Sequence, residues 1–323
     1  VLLSIQMLCT ACASNASETG KAGSSSVSAD ISSAVPVIDR EDDSSMPHQF
    51  RTSASDFQKI SKKNKAQMDR SYIPSREGLD TLHISGSAQP SEGEYKQLAS
   101  VLKQYDEGPI YVVDLRQESH GFLNGDAVSW YAEHNWANQG KTEEEIRKDE
   151  NNRVETSLHQ TMTWYQVDKK EHVQVGEKET VNQAMTEEQL AESEGLRYFR
   201  ITATDHIWPS PEDIDRFIEF YKELPKGAWL HFHCKMGVGR TTEFMAMYDM
   251  MRNPSVSLKD ILYRQCLIGG NYVAYVSDSG DDWKSPYYAE KKKMVGLFYQ
   301  YVQENHGSGF AIPWSAWLKQ QSE

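Results

Sequence analysis

Hydrophobic and polar positions follow two different periods along the chain, and the places where the period changes mark the elements. Trp229 to Phe232 is a short apolar run that predicts a buried strand, and Glu243 to Met251 has the longer apolar pattern of a buried helix. The residues between them, Cys234 to Arg240, therefore form a strand-to-helix loop with glycines at 237 and 239. Upstream, Ser91 and Glu94 form a capping box opening a helix to about Tyr105, followed by the apolar strand Pro109 to Leu115. Gly195 to Thr202 predicts a further strand. Ser210-Pro211-Glu212-Asp213 opens a helix to about Leu224, Ser257 caps one ending near Leu267, and Tyr287 to Glu304 is amphipathic. Helix and strand in this alternation predict an α/β layer.

Between residues 121 and 195 the pattern departs from that layer. Ser129 to Asn138 is aromatic and irregular, Thr142 and Glu145 cap a polar helix, and Thr161 to Val181 alternates as half-exposed strands do. This stretch is too long for a loop and predicts a β-rich substructure, 121–195, inserted into a core formed by 46–120 and 196–323. Residues 14–45, rich in Ser, Ala and acids, predict a flexible tether. Val1 to Ala13 is apolar and ends in small residues, like the back half of a secretory leader. That leader predicts a secreted, periplasmic or cell-surface protein, with membrane contact only through a lipid on Cys9 or Cys12.

Composition narrows the function classes. The 323 residues are 38% hydrophobic, ample for a packed interior, and the net charge of -13 argues against general nucleic-acid binding. An enzyme for polyanions would need a local basic pocket on this acidic body. Only Cys234 and Cys266 lie outside the leader, so a disulfide framework is absent and both thiols are expected free.

The loop carries the candidate chemistry. Successive backbone N–H groups and the positive end of the following helix converge on one point, which makes an anion site. A thiol there is expected to ionise readily and act as a nucleophile toward phosphorus. Arg240 offers a planar fork to two phosphate oxygens, Gly237 and Gly239 let the backbone come close, and Lys235, Met236 and Val238 complete the loop. Expulsion of an alcohol needs a proton donor. Asp205, in a loop with His206 and the stiffening pair Trp208-Pro209, is favoured over Glu212 and Asp213, which belong to the start of a helix.

Together, His-Cys-Lys-Met-Gly-Val-Gly-Arg-Thr-Thr at 233–242, Thr-Asp-His-Ile-Trp-Pro at 204–209, the stretch Tyr111 to Gly125 and Ser257 to Gln265 resemble the tyrosine-phosphatase-like phytases of anaerobic bacteria. The resemblance runs from about Phe50 to Leu318. It implies an α/β tyrosine-phosphatase core, a central mixed sheet flanked by helices, with a small inserted partial β-barrel. It implies stepwise hydrolysis of myo-inositol hexakisphosphate through a cysteinyl-phosphate, with no metal or organic cofactor; no obligate protein partner is evident in the sequence. It makes Cys234 the nucleophile, Asp205 the acid and then the base, Arg240 the phosphate clamp and Thr241 a stabiliser of the thiolate. Arg51, His172 and Lys284 are carried over as contacts to the remaining phosphates, with His206 beside the acid. Lys235 departs from the family pattern, where an acidic residue is common. His-Cys-Lys-x-Gly-x-Gly-Arg also occurs in phosphoinositide lipid phosphatases, which usually have a lysine where this chain has Val238. That activity, a protein-tyrosine phosphatase and a silent phosphate-binding module are the alternatives.

Overall fold

Alternation along two central strands decides how the layers stack. The computed structural model describes residues 34–61, 67–105, 108–168, 170–277 and 282–321. In chain order the strands are β1 (Val35–Arg40), β2 (Arg51–Thr52), β3 (Ile84–Ala88), β4 (Ile110–Asp114), β5 (His120–Leu123), β6 (Asp126–Tyr131), β7 (Thr161–Val167), β8 (Val173–Thr180), β9 (Ala184–Met185), β10 (Arg197–Arg200) and β11 (Trp229–Cys234). The helices are α1 (Glu92–Leu102), α2 (Glu143–Ser157), α3 (Glu187–Ser193), α4 (Pro211–Glu223), α5 (Arg240–Arg252), α6 (Leu258–Leu267), α7 (Ser285–Asn305) and α8 (Trp314–Gln320).

One sheet has the order β10-β4-β11-β3-β2, in which β10, β4, β11 and β3 are parallel and β2 is antiparallel. Successive side chains point to opposite faces of such strands. Val113, Leu230 and Phe232 accordingly join α4 to α8 in the larger core, while Val112 and Trp229 join α1 and α3 in a second core on the other face. Helices thus flank a central mixed sheet, as expected. The capping boxes at Ser91 and Thr142 form as read from the sequence, and Ser210 and Ser257 accept hydrogen bonds from the amides three residues on.

The second sheet has six strands in the order β8-β7-β1-β6-β5-β9, with α2 packed on it through Val154 beside Trp130 and Trp164. The expected partial barrel is here this open order, and among the described residues β8 and β9 are not paired with each other. Strand β1 corrects the expected tether at 14–45. Val35 to Arg40 pairs antiparallel with β6 and parallel with β7, so part of that stretch is an interior strand of the second sheet. Pro36 and the surrounding Ser and Asp residues hid it, because Val37 is the one buried apolar residue of the strand and the pairing partners come from far along the chain. The leader at 1–13 and most of the remaining tether lie outside the described residues. Among the described residues no helix is long and apolar enough to cross a membrane.

Candidate active site

Four parallel strands deliver four loops to one edge of the five-stranded sheet, the edge at which ligands bind in open α/β sheets. The loop after β3 brings Gln89, that after β4 brings Arg116 to Glu118, that after β10 brings Asp205 to Trp208, and that after β11 brings Cys234 to Arg240. This shared edge is why residues far apart in the chain meet.

Cys234 closes β11 and is buried, and the Thr241 hydroxyl, in the first turn of α5, donates to its Sγ at 3.2 Å. Cys234 and Cys266 are both free thiols. Gly237 has φ +72°, and a Cβ there would lie 2.3 Å from the Ala88 amide nitrogen, so only glycine fits between the loop and β3. At Gly239 a Cβ would meet no protein atom within 4 Å, which leaves that side of the loop open. Met236 is exposed on the loop. The Thr242 hydroxyl donates to Val238 O at 2.7 Å, and Lys235 O accepts from the Gln89 amide at 3.2 Å.

Arg240 is buried and doubly bonded to Glu118, Nη1 to Oε2 at 2.8 Å and Nη2 to Oε1 at 3.0 Å. Nη1 also donates to Ala203 O at 3.0 Å, and Nη2 lies 3.3 Å from Asp205 Oδ2. Its Nε is buried without a partner. Burial by itself would lower the Arg240 pKa, but Asp205 and Glu118 outweigh it and hold the guanidinium well above its usual value. Burial would likewise raise the Asp205 carboxyl. Arg240 and His206 outweigh that, so Asp205 lies below the ordinary aspartate range and is ionised in the ligand-free site.

The acid loop is held from the second sheet. After β6 a short 3-10 turn, Glu133–Asn135, puts Asn135 Nδ2 2.9 Å from Asp205 Oδ2, and Trp136 Nε1 donates to Asp205 O at 2.9 Å. His134 stacks on Trp283 with ring centroids 3.6 Å apart, and His206 meets the same Trp283 edge-on at 5.1 Å. Burial pushes the His206 imidazole down to about 4 despite Asp205 beside it, so the ring is neutral near pH 7.

The structure brings Cys234, Asp205, Arg240, Thr241, His206 and the loop residues Lys235 to Gly239 together. Lys284 stands at the edge of this group, its Nζ 5.0 Å from the centre of the Trp283 ring. Arg51 is placed otherwise than a rim contact would be. It is buried behind the loop, donating to Gly237 O at 2.8 Å and to Thr242 Oγ1 at 3.1 Å, where its charge braces the loop backbone. His172 lies in the turn between β7 and β8, with Nδ1 3.0 Å from Asp168 Oδ2 and the side chain 68% exposed. Its neighbour Glu171 accepts from the Tyr131 hydroxyl at 3.2 Å and lies 2.6 Å from His134 Nδ1. Arg51 is therefore not an exposed rim cation, because its guanidinium is spent on the back of the loop.

Sequence reasoning missed Glu118, Asn135 and Trp136. Glu118 follows a strand end with Asp114 and Arg116 in a run of alternating charge, which was the available signal. Asn135 carried none, being a neutral residue in an irregular stretch. Among the described residues, two groups have donor atoms close enough to hold a metal ion, Asp114 with Glu187 and His233, and Glu133 with His134 and Glu171. In the first, His233 Nε2 is already 2.8 Å from Glu187 Oε1, and His120 supplies a cation against both Asp114 and Glu187.

A family model for PTP-like phytases, described by the words inositol hexakisphosphate, matches residues 113–252. The chain is 48% identical to the PTP-like myo-inositol phosphatase from Mitsuokella multacida, solved in complex with myo-inositol-(1,3,4,5)-tetrakisphosphate. That match covers 89% of this chain and 49% of the other, with a TM-score of 0.84. It is 32% identical to a PTP-like phytase from Bdellovibrio bacteriovorus, over 88% of this chain and 94% of that one, with a TM-score of 0.69. It is also 30% identical to the effector protein hopD2 of Pseudomonas syringae pathovar tomato, over 74% of this chain and 52% of that protein. The chain spans about half the length of the Mitsuokella and Pseudomonas proteins.

Proposed function

Because the chain belongs to the PTP-like phytase family, we propose that it hydrolyses phosphomonoesters of myo-inositol polyphosphates, hexakisphosphate included, through a phosphocysteine. The observation that carries this reading is the meeting of Cys234, Arg240 and Asp205 at one sheet edge, with Thr241 3.2 Å from the sulfur and Arg240 3.3 Å from the carboxylate. The tetrakisphosphate bound by the Mitsuokella relative supports the substrate class.

The reaction follows from the placement of the groups. The Cys234 thiolate attacks phosphorus; a P–S bond forms, the ester P–O bond breaks, and the Asp205 carboxyl gives its proton to the departing inositol oxygen. Asp205 then takes a proton from a water that attacks the phosphocysteine, and phosphate leaves with the thiolate restored. Asp205 must start protonated, whereas Arg240 holds it ionised before substrate arrives. A bound phosphate resolves this: it engages the unpartnered Arg240 Nε and sets negative charge beside Asp205, both of which favour the neutral carboxyl. No step needs a metal or organic cofactor.

The test is phosphate release from myo-inositol hexakisphosphate measured beside a phosphotyrosyl peptide and a phosphatidylinositol phosphate. The proposal expects the hexakisphosphate to be the best substrate by kcat/KM. Preference for the peptide or the lipid would overturn it.

A further inference from the structure

Seven residues close a ring of ion pairs and hydrogen bonds around the candidate site. Lys235 Nζ lies 2.9 Å from Asp39 Oδ1, and Arg116 Nη2 donates to Asp39 Oδ2 at 2.7 Å. Arg116 Nε donates to Glu118 at 2.9 Å, Glu118 holds both terminal nitrogens of Arg240, and Arg240 faces Asp205 at 3.3 Å. Asn135 bonds Asp205 Oδ2 at 2.9 Å, and its own Oδ1 lies 3.4 Å from Lys235 Nζ, which completes the circuit. Six of the members are charged and alternate in sign.

Asp39 is the member that ties the N-terminal strand β1 into the site. Its side chain is 2% exposed, and besides the two cations it accepts from Ser129 Oγ at 3.0 Å. Burial would raise the Asp39 carboxyl, but Lys235 and Arg116 outweigh it and keep it below the usual aspartate range. Lys235 is held on a third side by the Tyr131 ring, 5.4 Å from its ammonium. A free lysine loses rotamer entropy when it grips a ligand. This lysine is already immobilised.

We propose that Asp39 is a positioning residue for substrate recognition, presetting the Lys235 ammonium at the edge of the catalytic loop to meet a phosphate other than the one being cleaved. The proposal rests on the polyphosphate reading above. It makes β1 part of the site's specificity apparatus, acting through Lys235.

The test is a double-mutant cycle of Asp39→Asn and Lys235→Met, read as KM for myo-inositol hexakisphosphate and for para-nitrophenyl phosphate. Asp39→Asn is expected to raise KM for the hexakisphosphate about fivefold and to leave that for para-nitrophenyl phosphate within about twofold. In the Lys235→Met background the same change is expected to have under about a twofold effect, because the residue it acts through is gone. Equal effects on both substrates, or in both backgrounds, would reduce Asp39 to a structural role and overturn the proposal. If Asp39→Asn does not fold, Lys235→Met alone decides: an unchanged hexakisphosphate KM overturns the idea. A second readout is independent of substrate. In lysine-labelled protein the ammonium signal that Lys235→Met removes is expected to be sharp and protected from solvent exchange, and to broaden in Asp39→Asn. A signal unaltered by Asp39→Asn would refute the clamp, whereas absence of hexakisphosphate hydrolysis by the unsubstituted protein would refute only the substrate reading.

Discussion

The two halves of the site are built on different supports. The nucleophile half, Cys234 to Arg240, rests on the five-stranded sheet and is braced from within: Gly237 packs on the β3 backbone, Arg51 and Thr242 hold loop carbonyls, and Glu118 grips Arg240. The acid half leans on the second sheet, where Asn135 and Trp136 reach across to Asp205 and an aromatic group of His134, Trp283 and His206 stands beside it. The Cys234 half thus has its geometry fixed by backbone sterics and buried charge, which tolerate little movement. The Asp205 half depends on a few side-chain hydrogen bonds, each individually modest. Loss of a brace from the first half should therefore cost fold and activity together, and damage to the second should cost chemistry with little loss of fold.

The comparison is broken most completely at the sulfur. Cys234→Ser should keep the folded melting profile and release no measurable phosphate from any substrate, since a hydroxyl there is not ionised. Turnover by that variant would refute the phosphocysteine route. Asp205→Asn should lower kcat for inositol phosphates by about 10² to 10⁴, and far less for para-nitrophenyl phosphate, whose leaving group needs no proton. A uniform loss would make Asp205 a positioning group and return Glu212 and Asp213 to consideration.

Glu118→Gln sharpens the contrast in stability. It leaves Arg240 buried with half of its charge balance removed, and loss of one partner from a buried pair costs about 3 to 5 kcal/mol. Denaturant unfolding should show that loss, and a change under about 1 kcal/mol would contradict the bracing described for the nucleophile half. Asn135→Ala, on the acid half, should lower kcat on inositol phosphates about tenfold, the worth of a hydrogen bond to a charged group, with melting temperature nearly unchanged. A large drop in melting temperature with kcat intact would erase the distinction between the halves.

The smallest expected effect is on stability against pH. Burial pushes His206 down to about 4 and holds His231 well below its usual value, so the unfolded chain binds more protons than the folded one between about 4 and 6.5. Their contribution is present above pH 6.5 and is lost as pH falls toward 4. His120 has the opposite sign: burial would lower it, but the carboxylates around it, Asp114 first and then Glu150, together outweigh that and the ring is pushed up to about 10. Its contribution is present below pH 6.5 and is lost as pH rises through 10. Melting temperature should therefore decline on both sides of neutrality, and His120→Gln should flatten the alkaline limb alone.

Much of this was determined by local sequence. A glycine that must adopt φ +72°, a thiol and a guanidinium on one strand-loop-helix, and serine caps on their helices are consequences of neighbours in the chain, so Cys234, Arg240 and the helix starts were legible directly. Asp205 was legible because it follows a strand in a loop stiffened by Trp208 and Pro209. Which partner each charge takes is a different matter, since attraction between side chains depends on where separate strands end and on how much water is excluded between them. Arg51 could be read as a cation but not as one facing the back of the loop, and His172 could be read as a ring but not as one left in solvent beside Asp168. Asp39 lay in a polar stretch that becomes an interior strand only when β6 and β7 pair with it, and Asn135 gained its role only when the second sheet came to rest against the acid loop. The candidate catalytic residues were set by the chain's local order; their surroundings were decided by tertiary structure, because pairing and desolvation exist only once the parallel strand ends and the second sheet are assembled.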